Sequence, residues 1–181
     1  MLKKEDGKEL IKLAKEAIQS YFKQDSPHVS EAIKKRFSEN KGVFVTLKKG
    51  KQLRGCIGYT EPKLPLWEAV VNAAKHAAFE DPRFPQMTEG ELKGISFEIS
   101  VLTSPKQIRG DIAKQIKIGK HGLIIEKDGY SGLLLPQVFT EFDITDAESA
   151  LEMTCEKAGL SAGSWQEKDA KVYLFECQIF N

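Results

Sequence analysis

The sequence predicts an α+β fold built from two similar units, each with a β-hairpin, a helix and a further strand. One observation is that the spacing of apolar residues switches along the chain between every third or fourth residue, typical of helices, and alternation, typical of strands. A second is that the pattern at residues 42–55 is echoed at residues 122–132, and a helix follows each time. We therefore expect duplicated units that form two subdomains with antiparallel sheets, flanked by helices, and a cleft between them.

The N-terminal region, residues 5–40, is predicted to be helical. Apolar residues recur at helical spacing from residue 5 to residue 24, with lysines and glutamates between them. Ser30 can cap a second, shorter helix over Glu31–Phe37, and Gly42 marks the end of this region. These helices precede the first repeated unit.

The repeated units are expected at residues 42–103 and 119–181 of a single domain that covers residues 1–181. In the first, the predicted elements are strands at 42–47 and 53–59, joined by a turn through Lys49-Gly50, an alanine-rich amphipathic helix at 66–79 and a strand at 95–102. In the second, they are a hairpin that starts at Gly122, a helix at 147–158 and a strand at 172–180. Residues 104–118, with Pro105 and Gly110, are expected to form a polar connector.

Composition favours a globular protein without a membrane segment. The 181 residues are 41% hydrophobic and 29% charged, and no apolar run approaches the roughly 18 residues that a membrane span needs. The charged N-terminus lacks the basic-then-apolar pattern of a signal peptide, so we expect a cytoplasmic protein. The three cysteines, at positions 56, 155 and 177, include no Cys-x-x-Cys pair, which argues against a disulfide framework and a zinc site.

Charge is distributed unevenly along the chain. Residues 1–60 carry 14 Lys or Arg against 7 Asp or Glu, a balance of +7, and residues 61–181 carry 13 against 19, a balance of −6. A basic region can contact an anionic partner such as nucleic acid. The lysines follow a helical pattern with little aromatic interleaving, however, so solvated helix faces are the better interpretation and nucleic-acid binding the weaker one.

The strand at residues 53–59 carries the most distinctive chemistry. Alternation along a strand places Arg54 and Cys56 on one face, and a fixed positive charge beside a thiol favours the thiolate. Because glycine weakens a strand, Gly55 and Gly58 suggest a surface kept open around the cysteine. The alternative is a buried cysteine that acts as a small apolar residue, with an arginine that pairs with a carboxylate.

The repeat favours the functional interpretation of this strand. Cys56 aligns with Leu133, so the repeated unit does not need a thiol at this position. Cys56 is then the candidate nucleophile, Arg54 its activator and anion contact, and His76 or His121 the general base.

Other polar residues are candidates for substrate binding. They are Gly55, Gly58, Asp81, Arg83, Glu98 and Gln137. An ion pair or a helix cap would explain Asp81 and Arg83 equally well, and Glu98 is expected to face solvent or the cleft. Gln137 follows a proline where a strand ends, from where its amide could orient a ligand. No glycine-rich nucleotide motif, phosphate loop or zinc motif is present, and the sequence identifies no cofactor.

The segment Leu53-Arg54-Gly55-Cys56-Ile57-Gly58 resembles the signature of the AMMECR domain family. Further segments resemble the same family: Gly42–Leu47, Asp81–Phe84, Ile99–Leu102, Gly119–Ile125, Leu133–Val138 and Lys157–Leu160. The resemblance runs from about Leu10 to the C-terminus and implies the α+β fold described above. It differs at Ser131, where the family usually has arginine. Some relatives occur with Memo-like and radical SAM proteins, which implies a functional association with them, although this chain has no radical SAM cysteine motif.

Three hypotheses on function follow. The first is an enzyme that uses the Arg54 and Cys56 strand, in a cleft between the subdomains, on a small anionic or nucleotide-like substrate. The second is a non-catalytic binding or regulatory module in transcription, translation or RNA modification, and the third a structural adaptor. The first predicts that Cys56 is alkylated well before Cys155 and Cys177. It also predicts that Arg54→Met leaves stability almost unchanged, because an arginine in an open cleft loses little by substitution.

Overall fold

The computed structural model describes residues 2–181, which contain six α-helices and seven β-strands. In chain order these are α1 (Lys4–Phe22), α2 (Glu31–Arg36), β1 (Val43–Lys49), β2 (Gln52–Tyr59), α3 (Leu66–Phe79), β3 (Ile95–Leu102), β4 (Lys106–Ile108), α4 (Ile112–Gln115), β5 (His121–Lys127), β6 (Tyr130–Leu134), α5 (Pro136–Glu141), α6 (Ala147–Lys157) and β7 (Lys171–Phe180). Short 3₁₀ helices lie at Glu89–Gly94 and Ala162–Gln166. Helices combined with antiparallel strand pairs confirm the predicted α+β class. No helix within residues 2–181 is long and apolar enough to cross a membrane.

The chain divides into two compact units. The first runs to Leu102 and includes Gln178–Asn181, and the second is Thr103–Cys177. The predicted boundaries of the two repeats, 42–103 and 119–181, stay a prediction.

In the first unit, α1 and α3 pack against one face of a sheet in which β1 lies between β2 and β3. Alternate residues of β1, namely Val43, Val45 and Leu47, are completely buried in a core that these helices share. Because successive side chains of a strand point to opposite faces, the residues of β1 between these three lie on the other face of the sheet.

The hairpin of β1 and β2 is regular only as far as Leu47. Up to that point Leu47 pairs with Gly55, but Lys48 then pairs with Leu53, so Arg54 is an additional residue in the ladder. Such a bulge interrupts the alternation of side chains. Alternation from Cys56 therefore does not tell on which face of β2 the Arg54 side chain lies.

In the second unit, β7 lies between β4 and β5, and β6 pairs with β5. The predicted polar connector is wrong, because residues 104–118 contain β4 and α4. Ile108 and Ile116 anchor this segment in the core of the unit. With three residues in β4 and four in α4, each element is too short for its periodicity to be recognised from sequence.

Glycine allows close contact between hairpin and helix in each unit. A Cβ atom at Gly55 would collide with the carbonyl oxygen of Ala77 in α3, and one at Gly132 would collide with Ala158 at the end of α6. The two glycines occupy corresponding positions, since Gly55 pairs with Leu47 and Gly132 with Ile125. This correspondence supports the predicted duplication, which remains a prediction.

Candidate functional site

The sheet face opposite α1 and α3 carries a row of polar side chains across three strands. Thr46 in β1 pairs with Cys56 in β2 on one side and with Glu98 in β3 on the other. Beside Cys56 lie Asp81 and Arg83, from the turn that follows α3. We call these five residues the Cys56 patch.

Cys56 is half-buried, and its sulfur accepts a hydrogen bond from the hydroxyl of Thr46, with 3.3 Å between Oγ1 and Sγ. Burial is the main factor that raises the pKa of the thiol, and the carboxylates of Asp81 and Glu98 raise it further. The Thr46 hydroxyl and the Arg83 guanidinium oppose this shift without reversing it. These surroundings disfavour the thiolate, so the prediction of an activated Cys56 gains no support from its contacts and stays a prediction.

Asp81 and Arg83 hold the free edge of β2 at Cys56. The Asp81 carboxylate accepts the N–H of Cys56 at 2.9 Å, and Nη2 of Arg83 donates to the Cys56 carbonyl oxygen at 3.2 Å. Arg83 also binds Asp81 through two nitrogens, Nε at 2.9 Å from Oδ1 and Nη2 at 2.7 Å from Oδ2. These hydrogen bonds from Arg83 are the main reason why the pKa of Asp81 falls to about 2. The Asp81 side chain is 2% exposed and that of Arg83 is 54% exposed, so a buried carboxylate fixes a guanidinium at the surface.

Arg54 does not belong to the Cys56 patch. Its Nε donates to Oε1 of Glu91 at 3.0 Å and its Nη2 to Oε2 at 3.2 Å, and Nη2 also donates to the carbonyl oxygen of Pro85. The Arg54 side chain is only 10% exposed. Hydrogen bonding to Arg54 is the main factor that lowers the pKa of Glu91 to about 2. The predicted roles of Arg54 as thiol activator and open-cleft anion contact are wrong, because the additional residue of the bulge is used for a buried ion pair.

His76 is not placed to act as a base for Cys56. Its Nδ1 lies 3.4 Å from the hydroxyl oxygen of Tyr59. Tyr59 pairs with Val43, on the helix-covered face, whereas Cys56 lies on the opposite face. The backbone of β2 thus separates the imidazole from the thiol, and the predicted pairing of His76 with Cys56 is wrong.

His121 and Gln137 belong to the second unit. His121 is the first residue of β5, and its Nδ1 accepts the backbone N–H of Lys117 at 3.2 Å. Burial is the main factor that lowers its pKa. Gln137 does not follow directly on a strand as predicted, because it lies in the first turn of α5. The proposed roles of both residues stay predictions.

The two glycines of the motif serve packing. Gly55 admits the backbone of α3, and a Cβ at Gly58 would collide with the carbonyl oxygen of Val43 and with Phe44. The prediction that they keep a surface open around Cys56 is wrong, because neighbouring backbone atoms fill the space that a side chain at either position would take.

The structure adds residues that the sequence did not single out. Thr46 contacts the thiol, and Lys48 pairs with Glu98, with 2.9 Å between Nζ and Oε2. A threonine and a lysine in a strand are ordinary residues, so only the register across β1 could have indicated them.

Alkylation tests the protonation state of Cys56. We expect iodoacetamide to label Cys56 slowly at neutral pH and to reach its half-maximal rate above the ordinary thiol pKa, because burial disfavours the thiolate. The rate is measured on the Cys56 peptide by mass spectrometry across a pH series. Thr46→Val should shift the profile to still higher pH, since the hydroxyl stabilises the thiolate. A half-maximal rate near neutral pH would contradict this assignment.

A family model and several known proteins match this chain over nearly its whole length. The family model described as AMMECR1 matches residues 11–180. A protein of Aquifex aeolicus is 43% identical over 180 residues, which cover 97% of this chain and 92% of the relative. Protein MK0488 of Methanopyrus kandleri is 44% identical over 183 residues, which cover 97% of this chain and 88% of the relative.

A solved structure agrees with the fold as well. The crystal structure of the uncharacterized protein PH0010 from Pyrococcus horikoshii superimposes with a TM-score of 0.92, at 42% identity, over 98% of this chain and 92% of that one. A family match over most of the chain and relatives above 40% identity agree with the resemblance found in the sequence. The chain belongs to the AMMECR1 family.

Proposed function

We propose that this protein binds a small anionic ligand at the Cys56 patch, with Arg83 as the charged contact. The observation that carries the proposal is the fixed position of the Arg83 guanidinium, which the buried Asp81 holds at the surface beside the thiol. Among residues 2–181, Nη1 of Arg83 has no hydrogen-bond partner. A guanidinium that is already immobilised loses little entropy when an anion binds to its free side.

The contacts and burial of Cys56 support binding rather than nucleophilic catalysis. Cys56 contacts a hydroxyl group, not a base, and burial disfavours its reactive form. A thiol and a hydroxyl side by side can instead contribute a small, weakly polar wall next to the charged contact. The binding hypothesis therefore takes precedence over catalysis through Cys56, and association with Memo-like or radical SAM proteins stays a prediction.

The charge of an alkylating reagent can report on this site. Iodoacetate is anionic and iodoacetamide is neutral, so the rate with iodoacetate divided by the rate with iodoacetamide measures how strongly the surroundings of Cys56 attract anions. The thiolate fraction cancels in this ratio because both reagents react with the same thiolate. We expect Arg83→Gln to lower this ratio about fivefold, which corresponds to about 1 kcal/mol between unit charges near 4 Å in water. Added inorganic phosphate at constant ionic strength should lower the ratio in the parent protein in a saturable manner.

Two further variants serve as controls. Lys51→Gln removes a positive charge from the exposed turn of the same hairpin and should leave the ratio unchanged. Arg83→Lys keeps the charge but not the two-nitrogen contact with Asp81, so it should retain part of the preference for iodoacetate. The same ratio in Arg83→Gln as in the parent would overturn the proposal, as would the absence of saturable competition by phosphate.

A further inference from the structure

The second unit contains a cavity of about 740 Å³ that has no part in the Cys56 patch. Its walls are the segment Gln107–Gly110 with Ile112 and the segment that begins at Trp165 and ends at Lys171. Cavities of roughly 300 to 1,000 Å³ are the size of small-molecule sites in proteins. The cavity is therefore large enough for a ligand of the size of a nucleotide.

The charged residues of this cavity leave an excess of positive charge. Arg109, Lys168 and Lys171 line it, and within residues 2–181 none of them forms an ion pair with a carboxylate. The two acidic residues of the lining are engaged from outside it, since Nζ of Lys127 lies 3.2 Å from Glu167 and 3.7 Å from Asp169. Three basic side chains that no carboxylate of residues 2–181 neutralises can thus interact with an anion.

The remaining lining is aromatic and amide-bearing. Trp165 packs partly buried against the core of the unit and provides a rigid aromatic wall. The side-chain oxygen of Gln107 accepts a hydrogen bond from Nη2 of Arg109 at 3.4 Å, which holds the guanidinium at the cavity. Gln166 adds a second amide, a group that can both donate and accept hydrogen bonds at the edge of a base.

We propose that this cavity binds a nucleotide. The phosphates would lie against Arg109, Lys168 and Lys171, and the base against Trp165. Guanidinium and ammonium groups provide charge-assisted hydrogen bonds to phosphate oxygens. An indole adds stacking that is independent of the charge of the ligand. The residues involved are distinct from those of the Cys56 patch, so either proposal can fail without the other.

Calorimetric titration of the full-length protein tests this proposal with three probes at low and constant ionic strength: ADP, pyrophosphate and adenosine. We expect saturable binding of ADP and weaker binding of both pyrophosphate and adenosine, because each lacks one of the two recognised groups. Arg109→Gln should weaken ADP binding by about tenfold or more, the usual effect of a charge-assisted contact.

Two variants separate the cavity from the rest of the surface. Lys157→Gln removes an exposed charge from α6, outside the cavity, and should leave ADP binding unchanged. Arg83→Gln should also leave it unchanged, which distinguishes this cavity from the Cys56 patch. The proposal is overturned if ADP does not bind, if Arg109→Gln and Lys157→Gln have equal effects, or if pyrophosphate binds as tightly as ADP.

Discussion

Replacing Arg54 with methionine is expected to lower the free energy of unfolding by about 3 kcal/mol or more, the usual loss when one partner of a buried ion pair is removed. The substitution leaves the Glu91 carboxylate, which is 22% exposed, without the guanidinium that binds both of its oxygens. It also removes a hydrogen bond to the carbonyl oxygen of Pro85. Urea denaturation of the parent and the variant measures the difference. This expectation reverses the one drawn from sequence.

Lys12→Met is a suitable control for this prediction. Lys12 pairs with Glu16 on the surface of α1, at 3.7 Å and with 76% of the lysine side chain exposed. Loss of such a pair changes stability by only about 0 to 1 kcal/mol. The alkylation profile of Cys56 should be the same in Arg54→Met as in the parent, because Arg54 does not contact the thiol. A variant of normal stability with altered Cys56 reactivity would show that Arg54 belongs to the functional site after all.

Gly55→Ala is expected to destabilise the protein by about 2 to 3 kcal/mol, at the upper end of the usual effect of overpacking. The added Cβ meets the carbonyl oxygen of Ala77, which is backbone and cannot rotate away. Either β2 or α3 must move, and both belong to a core in which Ala73, Ala74 and Ala77 are almost completely buried. Thermal and urea denaturation should show the loss together.

Gly90→Ala tests whether the contact causes the effect. Gly90 lies in a 3₁₀ helix with no atom within 4 Å of the position that a Cβ would occupy. The same substitution should there change stability by less than about 1 kcal/mol, in either direction. Similar losses at both positions would mean that the close contact with α3 is not the reason for glycine at position 55.

The anion contact proposed for the first unit differs from the one that the motif suggested. Both arginines lie within thirty residues of Cys56 in sequence, but only Arg83 donates to its backbone. The sequence is equally consistent with a structural ion pair and with a ligand-binding role for Asp81 and Arg83. The pair does have a structural role at the edge of β2. The same contacts that stabilise the edge also hold the guanidinium beside the thiol, so one pair of residues can serve both purposes.

Local patterns in the sequence predicted most of the secondary structure. The helix at residues 66–79 and the strand at residues 95–102 were predicted with the bounds that the structure has, because each depends on the periodicity of its own residues. The segments that were missed, β4, α4 and α5, have only three to six residues. Elements this short contain at most two turns or three alternations, which is too little for periodicity alone; the equally short α2 was predicted because Ser30 supplies a capping signal.

The sequence alone determined the α+β class, the main elements and the presence of a thiol in a strand between two glycines. Only the tertiary structure decided which arginine lies beside that thiol, which face the histidine occupies and whether the thiolate is favoured. These outcomes depend on contacts between residues far apart in sequence, such as Cys56 with Asp81 and Arg54 with Glu91. A bulge of one residue redirects Arg54, and burial determines the pKa of Cys56. Both arise when separate segments pack together, so no local pattern contains them.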